Sequence, residues 1–350
     1  MKNKTFIILT PGFPKDESDS TCLPAQQLFV KMLKEQYPLL DVVVLTFQYP
    51  FAATEYQWHN CRVIALGGKG KGKLFRLMLW HSAWKKLKAL TKGKTVLGLL
   101  SFWCGECALL ANRFGKKRHI QHLCWILGQD AKSENNYVQR IKPKAKELIA
   151  MSDFLQDTFF ANHGIKPAVV IPNGIDPRSF PEKPLTRDID ILGAGNLIPL
   201  KQYEIFISII ANIKKTIPGI KAVICGKGPE ANSLKVLIDN EGLQENIKLM
   251  GELAHQEVLR LMQRSSLFLH TSNYEGFGSV CIEALCAGAH VVSFNYPMKT
   301  SIAHWQQATN PEMMLPMCLN ILQQKDIEHN SVYPLLMEDS VTKMMQLFDH

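Results

Sequence analysis

Short runs of apolar and β-branched residues alternate with longer stretches of helical periodicity along the whole of this 350-residue chain. Strands are expected over residues 5–9, 42–45, 62–66, 96–100, 122–127, 147–150 and 168–171. A second series is expected over 190–192, 222–225, 247–250, 267–270 and 291–294, with helical patterns such as 203–214, 231–240 and 256–263 between them. Strands that alternate with helices build βαβ units, and these close into parallel sheets with both faces covered. At roughly 150 residues per domain, two such series mean two doubly wound α/β domains rather than one barrel.

The boundary is expected at residues 171–177, Ile-Pro-Asn-Gly-Ile-Asp-Pro, where two prolines and an Asn-Gly stop regular structure. That divides the chain into residues 1–172, residues 173–335 and a closing stretch, 336–350. The closing stretch carries an amphipathic helix (340–349) and is expected to pack back toward the first domain. Charge changes sign at the same place. The first 172 residues hold 25 Lys/Arg against 12 Asp/Glu, and the remainder 15 against 19. Residues 69–94 alone hold nine Lys/Arg and no acid. So sharp a split gives the halves different partners, the basic one meeting nucleic acid, an anionic membrane or an acidic substrate.

Other classes fall away. The first ten residues read as a strand and turn rather than a leader, and no uncharged apolar stretch reaches ~18 residues. Nine cysteines, an odd number without scaffold spacing, fit a reducing cytoplasm. The lone Cys104-Gly105-Glu106-Cys107 reads as structural thiols. Residues 67–74 match G-x-x-x-x-G-K but end in Leu74, where a P-loop needs a Mg²⁺-binding hydroxyl. The stretch after it places Leu77, Trp80, Trp84 and Leu87 on one helix face flanked by Lys85, Lys86 and Lys88. This suits either an anionic membrane surface or a core-covering helix with solvated lysines.

The richest segment runs from His270 to Gly288, leaving a strand and entering a helix. Gly276 and Gly278 permit close approach of backbone to a ligand, and the first amides of the helix (Gly278, Ser279, Val280) form an anion site. Glu275 precedes the helix and Glu283 lies about one turn in. Carboxylates are poor phosphate ligands but good acceptors for sugar hydroxyls, which suits a nucleotide-sugar. Both Glu residues also simply favour a helix N-terminus. Gly193-Ala194-Gly195-Asn196 opens the second domain, but Ile198 replaces the third Gly of a dinucleotide fingerprint, and Cys225-Gly226-Lys227 stands where its acidic residue belongs. Lys201, at a helix start, can neutralise a leaving diphosphate or be merely solvated.

Glu275 and Glu283 with seven residues between them resemble the E-x7-E signature of the family 4 retaining glycosyltransferases, which have the GT-B fold. Further resemblances follow in the family's order: Thr10-Pro11-Gly12-Phe13-Pro14 to the N-terminal glycine loop, and Leu127-Gly128-Gln129-Asp130 to a strand end facing the cleft. Ser152-Asp153, residues 171–176, and Gly226-Lys227-Gly228-Pro229 resemble later family segments. The resemblance implies two Rossmann-like parallel-sheet domains facing across a cleft and a nucleoside diphosphate sugar bound mainly by the second. Glu283 matches the ribose-binding carboxylate, Glu275 the one near the sugar, Lys201 the diphosphate cation, and Gly12 the loop approaching the phosphates. Asn196, Gly226, Gly228, Gly278, Ser279 and Val280 complete the donor site, and Asp130 serves the acceptor or orients the sugar. The implied reaction is metal-independent and retaining, with attack from the leaving-group side onto a glycan or lipid-linked acceptor, as in cell-surface polysaccharide or glycolipid synthesis. The implied place is the cytoplasm, peripheral to the membrane through residues 69–94, with no nucleic acid partner. The sequence departs from the family in Asn196, where the family usually has Arg, in Leu127, where it often has His, and in lacking a Gly-Gly pair beside Gly12. The alternatives are a nucleotide-sugar isomerase and a silent sugar-binding protein that works as part of a complex.

Overall fold

The computed structural model describes residues 4–70, 72–182, 186–324 and 326–349. The chain forms two compact units, Met1–Gly174 with Met337–His350, and Ile175–Leu336.

The first unit contains β1 (Thr5–Gly12), α1 (Pro24–Gln36), β2 (Asp41–Tyr49), β3 (Thr54–Trp58), β4 (Cys61–Ala65), α2 (Lys73–Thr91) and β5 (Val96–Phe102). It continues with α3 (Glu106–Arg118), β6 (His122–Ile126), α4 (Asn136–Ile141), β7 (Leu148–Ala150), α5 (Asp153–His163) and β8 (Val169–Val170). Its sheet runs β3-β4-β2-β1-β5-β6-β7-β8, and every neighbour pair is parallel except β3 with β4. Phe6, Ile7, Ile8 and Leu9 of β1 are fully buried, because helices cover both faces of a parallel sheet.

The second unit contains β9 (Ile189–Ala194), α6 (Tyr203–Lys214), β10 (Ala222–Cys225), α7 (Ala231–Asn240), β11 (Ile247–Leu249) and α8 (His255–Gln263). After these come β12 (Ser265–His270), α9 (Ser279–Cys286), β13 (His290–Ser293), β14 (Trp305–Gln307) and α10 (Pro311–Gln323). The sheet is β11-β10-β9-β12-β13-β14, parallel throughout. Phe206, Ile207, Ile210 and Ile213 recur along one face of α6 and are fully buried in the core cluster. At about 1.5–3 kcal/mol per buried side chain, that face alone accounts for α6 docking on the sheet.

The last helix, α11 (Met337–Gln346), belongs to the first unit and lies along α1, where Gln36 Nε2 donates to Glu338 O at 3.1 Å. Beyond it, the Phe348 ring meets Phe6 edge-on at 4.9 Å. Gly98 of β5 makes the room: a Cβ there would lie 2.3 Å from the Phe348 ring.

Helix α2 departs from the membrane-facing reading of its aromatic face. Leu79, Ala83, Leu87 and Leu90 are buried in the core, and Trp80 and Trp84 pack against the same cluster. The Trp84 ring meets Phe114 at 5.1 Å, and Trp80 Nε1 donates to Glu106 Oε2 at 3.1 Å. An indole gains more from core packing with its N–H satisfied than from water. The outward side instead carries Leu77 and Met78, 60% and 62% exposed, followed by exposed His81, Lys85 and Lys88. Lys71, inside the basic run, lies outside the described residues, as do the side chains of Lys73 and Leu74. All nine cysteines are free, and eight are buried.

Candidate functional site

In an open α/β sheet, ligands bind beyond the carboxyl ends of the strands, where the strand order reverses. In the second unit that point lies between β9 and β12. A pocket of about 410 Å³ opens there, lined by residues including Asn196, Lys201, Gly226, Glu275, Gly278, Ser279, Val280 and Glu283. Eight residues expected at a donor site thus share one concavity.

Lys201 ends a 3-10 turn, Pro199–Lys201, pinned from the loop after β12. Thr271 Oγ1 donates to Lys201 O at 2.8 Å, and Asn273 N donates to Leu200 O at 3.1 Å. The ammonium donates to Glu275 Oε2 at 2.6 Å and lies 3.4 Å from His270 Nε2. Burial, then the Lys201 charge, push the His270 pKa down to about 4, so this imidazole is neutral at pH 7 and accepts from Lys201. An ammonium has three N–H donors, so Lys201 can keep both partners and still reach a ligand anion.

Gly278 caps α9 in the left-handed conformation (φ 74°), which glycine adopts at little cost. Ser279 and Val280 follow as the first helical residues, and their amides have no preceding turn to bond. Glu283, one turn further, accepts from His255 Nε2 at 2.8 Å. That bond raises the His255 pKa above its ordinary value. His255 opens α8, whose start is fixed by Glu257 Oε2 accepting from Ala254 N at 3.1 Å.

Gly228 is not among the pocket-lining residues. It packs against the backbone of Leu197, whose O would be 2.2 Å from a Cβ there, and so shapes the pocket wall from behind. Gly12 and Asp130 lie in the other unit, Gly12 at the carboxyl end of β1. Asp130, expected on acceptor or sugar, turns its carboxylate inward instead. Oδ2 accepts from Cys104 N at 2.7 Å, and Oδ1 from Leu127 N at 3.1 Å and Gly128 N at 2.9 Å. It staples the loops after β5 and β6, and burial raises its pKa against the pull of those amides. Sequence reasoning assigned no role to His255 and His270. The strand end at His270 and the start of α8 at His255 were the available signals, but two separate histidines carry no spacing that names a partner.

Residues 176–307 match the family of Glycosyl transferases group 1. The match lies wholly within the second unit. The GPI3 subunit of the Saccharomyces cerevisiae phosphatidylinositol N-acetylglucosaminyltransferase is 24% identical over 227 residues, 58% of this chain and 48% of that protein. Its counterpart from Schizosaccharomyces pombe, named as the gpi3 subunit of the same transferase, is 27% identical over 203 residues, 56% of this chain and 44% of that protein. The chain thus matches about half the length of these curated relatives. At the level of fold the likeness extends to the whole chain. The crystal structure of Anabaena HepE in complex with UDP and glucose superposes with a TM-score of 0.68, covering 98% of this chain and 95% of that one at 17% identity. Two parallel-sheet Rossmann-like domains are the architecture of GT-B glycosyltransferases.

Two buried histidines, one at the site and one in the first unit, make stability fall in acid. His270 and His122 (pKa about 3) titrate near 6.5 when unfolded, so between pH 6.5 and 4 the unfolded chain binds the extra protons and stability drops as pH falls. Each contributes a loss of about 2 kcal/mol by pH 5. His255 acts oppositely: its contribution is complete below pH 6.5 and is lost as pH rises through its elevated folded pKa. Denaturant titrations at pH 7 and pH 5 test this. The His270→Gln variant should lose about 2 kcal/mol less than wild type between them, and equal losses contradict the assignment.

Proposed function

We propose that this chain transfers a sugar from a nucleoside diphosphate sugar, with retention of configuration, to a glycan or lipid-linked acceptor. The observation that carries the reading is one 410 Å³ pocket holding a preoriented ammonium, the first amides of α9 and two carboxylates. Cation and amides match a diphosphate, and carboxylates match hydroxyls. The relatives named for N-acetylglucosaminyl transfer to phosphatidylinositol, and a neighbour crystallised with UDP and glucose, support a uridine diphosphate sugar and a lipid acceptor.

Lys201 and the α9 amides stabilise the departing diphosphate without a divalent metal. Glu275, oriented by Lys201, holds the transferred sugar. Glu283 keeps one oxygen on His255 and offers the other to the ribose. The departing phosphate takes the acceptor proton as the acceptor attacks from the same side. The purified chain, given UDP-sugars and an acceptor lipid extract in EDTA, should release UDP and form a product of unchanged anomeric configuration. A protein that binds UDP-sugars but never releases UDP overturns the transferase reading.

The family resemblance gives Gly12 a phosphate-facing role, which a substitution there tests. A Cβ there would meet only ordinary contacts, Tyr49 Cβ at 3.6 Å and Cys22 Sγ at 3.8 Å. Gly12→Ala should therefore leave stability unchanged or raise it by about 0.5 kcal/mol. It should still cut turnover at least tenfold if phosphate approaches that backbone, and full turnover removes Gly12 from the site.

The outward side of α2 supports peripheral attachment to an anionic membrane. Leu77 and Met78 would enter the interface, and Lys85, Lys88 and Lys92 would meet the head groups. No helix among the described residues is long and apolar enough to cross a membrane. At about 1 kcal/mol per surface cation, Lys85→Glu with Lys88→Glu should weaken binding to phosphatidylglycerol vesicles more than tenfold. Unchanged sedimentation contradicts this surface.

A further inference from the structure

A cavity of the first unit lies away from the sheet edge that carries Gly12. It measures about 820 Å³ and opens at the amino ends of β6, β7 and β8, whereas doubly wound sheets place substrates at carboxyl ends. Ile120, Leu123, Ile149, Val169 and Leu347 supply its apolar wall. Leu123 and Ile149 are buried, while Ile120, Val169 and Leu347 are only half-buried. One face of α3 and its cap lines the opposite part with Asn112, Lys116 and His119, and Lys146 stands before β7. The one acid in the lining, Glu147, has an oxygen committed to Lys144 N at 2.9 Å. The size falls within the roughly 300–1,000 Å³ of small-molecule sites.

A second observation points to an occupant. His122 lines the cavity and is only 7% exposed. Its Nε2 lies 2.9 Å from Ser101 Oγ, but its Nδ1 is buried with no hydrogen-bond partner among the described residues. Buried polar groups are nearly always satisfied, and an orphan costs about 1–3 kcal/mol. In the tautomer where the Ser101 hydroxyl donates to Nε2, Nδ1 carries the proton and is an unsatisfied donor buried beneath a lining that also holds Lys116 and Lys146.

We propose that this cavity binds an anionic single-chain amphiphile of the fatty-carboxylate class. The chain lies on the Leu123–Ile149–Val169–Leu347 wall, and the carboxylate lies between Lys116 and Lys146, over the buried imidazole of His122. The site does not depend on the glycosyl-transfer reading, because its residues all belong to the first unit and the donor pocket to the second.

Calorimetric titration of dodecanoate into the full chain, below its micellar concentration, tests the proposal. Saturable one-to-one binding is expected, with dodecyltrimethylammonium at least tenfold weaker. Lys116→Glu with Lys146→Glu, both at exposed positions, should weaken dodecanoate at least tenfold. Val169→Trp should fill the cavity and abolish binding. Melting temperature and UDP binding verify that each variant is folded. Absence of saturable binding, equal affinity for the cationic amphiphile, or wild-type affinity in either variant overturns the site.

Discussion

Replacing Lys201 by Ala is expected to lower release of the nucleoside diphosphate about 10²–10³-fold, the cost of removing one preorganised donor from a developing anion. Three features make this residue decisive. Its carbonyl is anchored by Thr271, its ammonium is set by Glu275 and the neutral His270, and Asn196 brings no second cation. The ammonium is therefore in place before the donor arrives and needs no reorganisation when charge develops. Stability should change little, because Lys201 and Glu275 remain partly exposed, with 17% and 27% of their side chains accessible, and such pairs contribute only about 0–1 kcal/mol. The measurement is UDP release at saturating donor, beside a melting curve. Activity within tenfold of wild type in a folded Lys201→Ala protein would remove the cation from the mechanism.

Gly226→Ala is expected to damage both fold and site. A Cβ at Gly226 would stand 1.8 Å from the Gly195 carbonyl oxygen, and the backbone has φ 151°, a conformation side chains rarely adopt. Neither group yields easily, since Gly226 N donates to Gly251 O at 2.8 Å and Gly195 N to Cys225 O at 2.9 Å. The loops after β9 and β10 must separate by more than an ångström, which costs several kcal/mol and widens the pocket that Asn196 and Gly226 both line. Chemical denaturation should show that loss, and UDP affinity should fall at least tenfold. A variant as stable as wild type with unchanged affinity would mean the loops are freer than this packing implies.

Most of the strands were legible because parallel strands buried on both faces read as unbroken apolar runs, as in Phe6–Leu9. The missing elements lack that signal. β3 is polar and largely exposed at a sheet edge, and it turns into β4 through His59 and Asn60, both at positive φ without a glycine to mark a hairpin. β14 is a three-residue edge strand. Helix α2 shows a different limit. Periodicity placed Trp80, Trp84 and Leu87 on one side, but only the packed structure decides whether that side meets a core or a membrane.

The same division runs through the site. Glycines, helix starts and paired carboxylates are local features, since backbone conformation and capping act over a few residues. They were enough to single out Glu275, Glu283, Gly278 and Lys201. Which group holds which is nonlocal. The Lys201–Glu275 pair spans 74 residues and His255–Glu283 spans 28, while Asp130 reaches back 26 to the amide of Cys104. Sequence alone determined two βαβ series and a glycine-rich segment made for an anion. The tertiary structure alone decided that Asp130 is a staple, that two unassigned histidines contact Lys201 and Glu283, and which face of α2 meets solvent. The physical reason is that burial and hydrogen-bond partners are set by packing across strands distant in sequence, and these determine whether a side chain is free to meet a ligand.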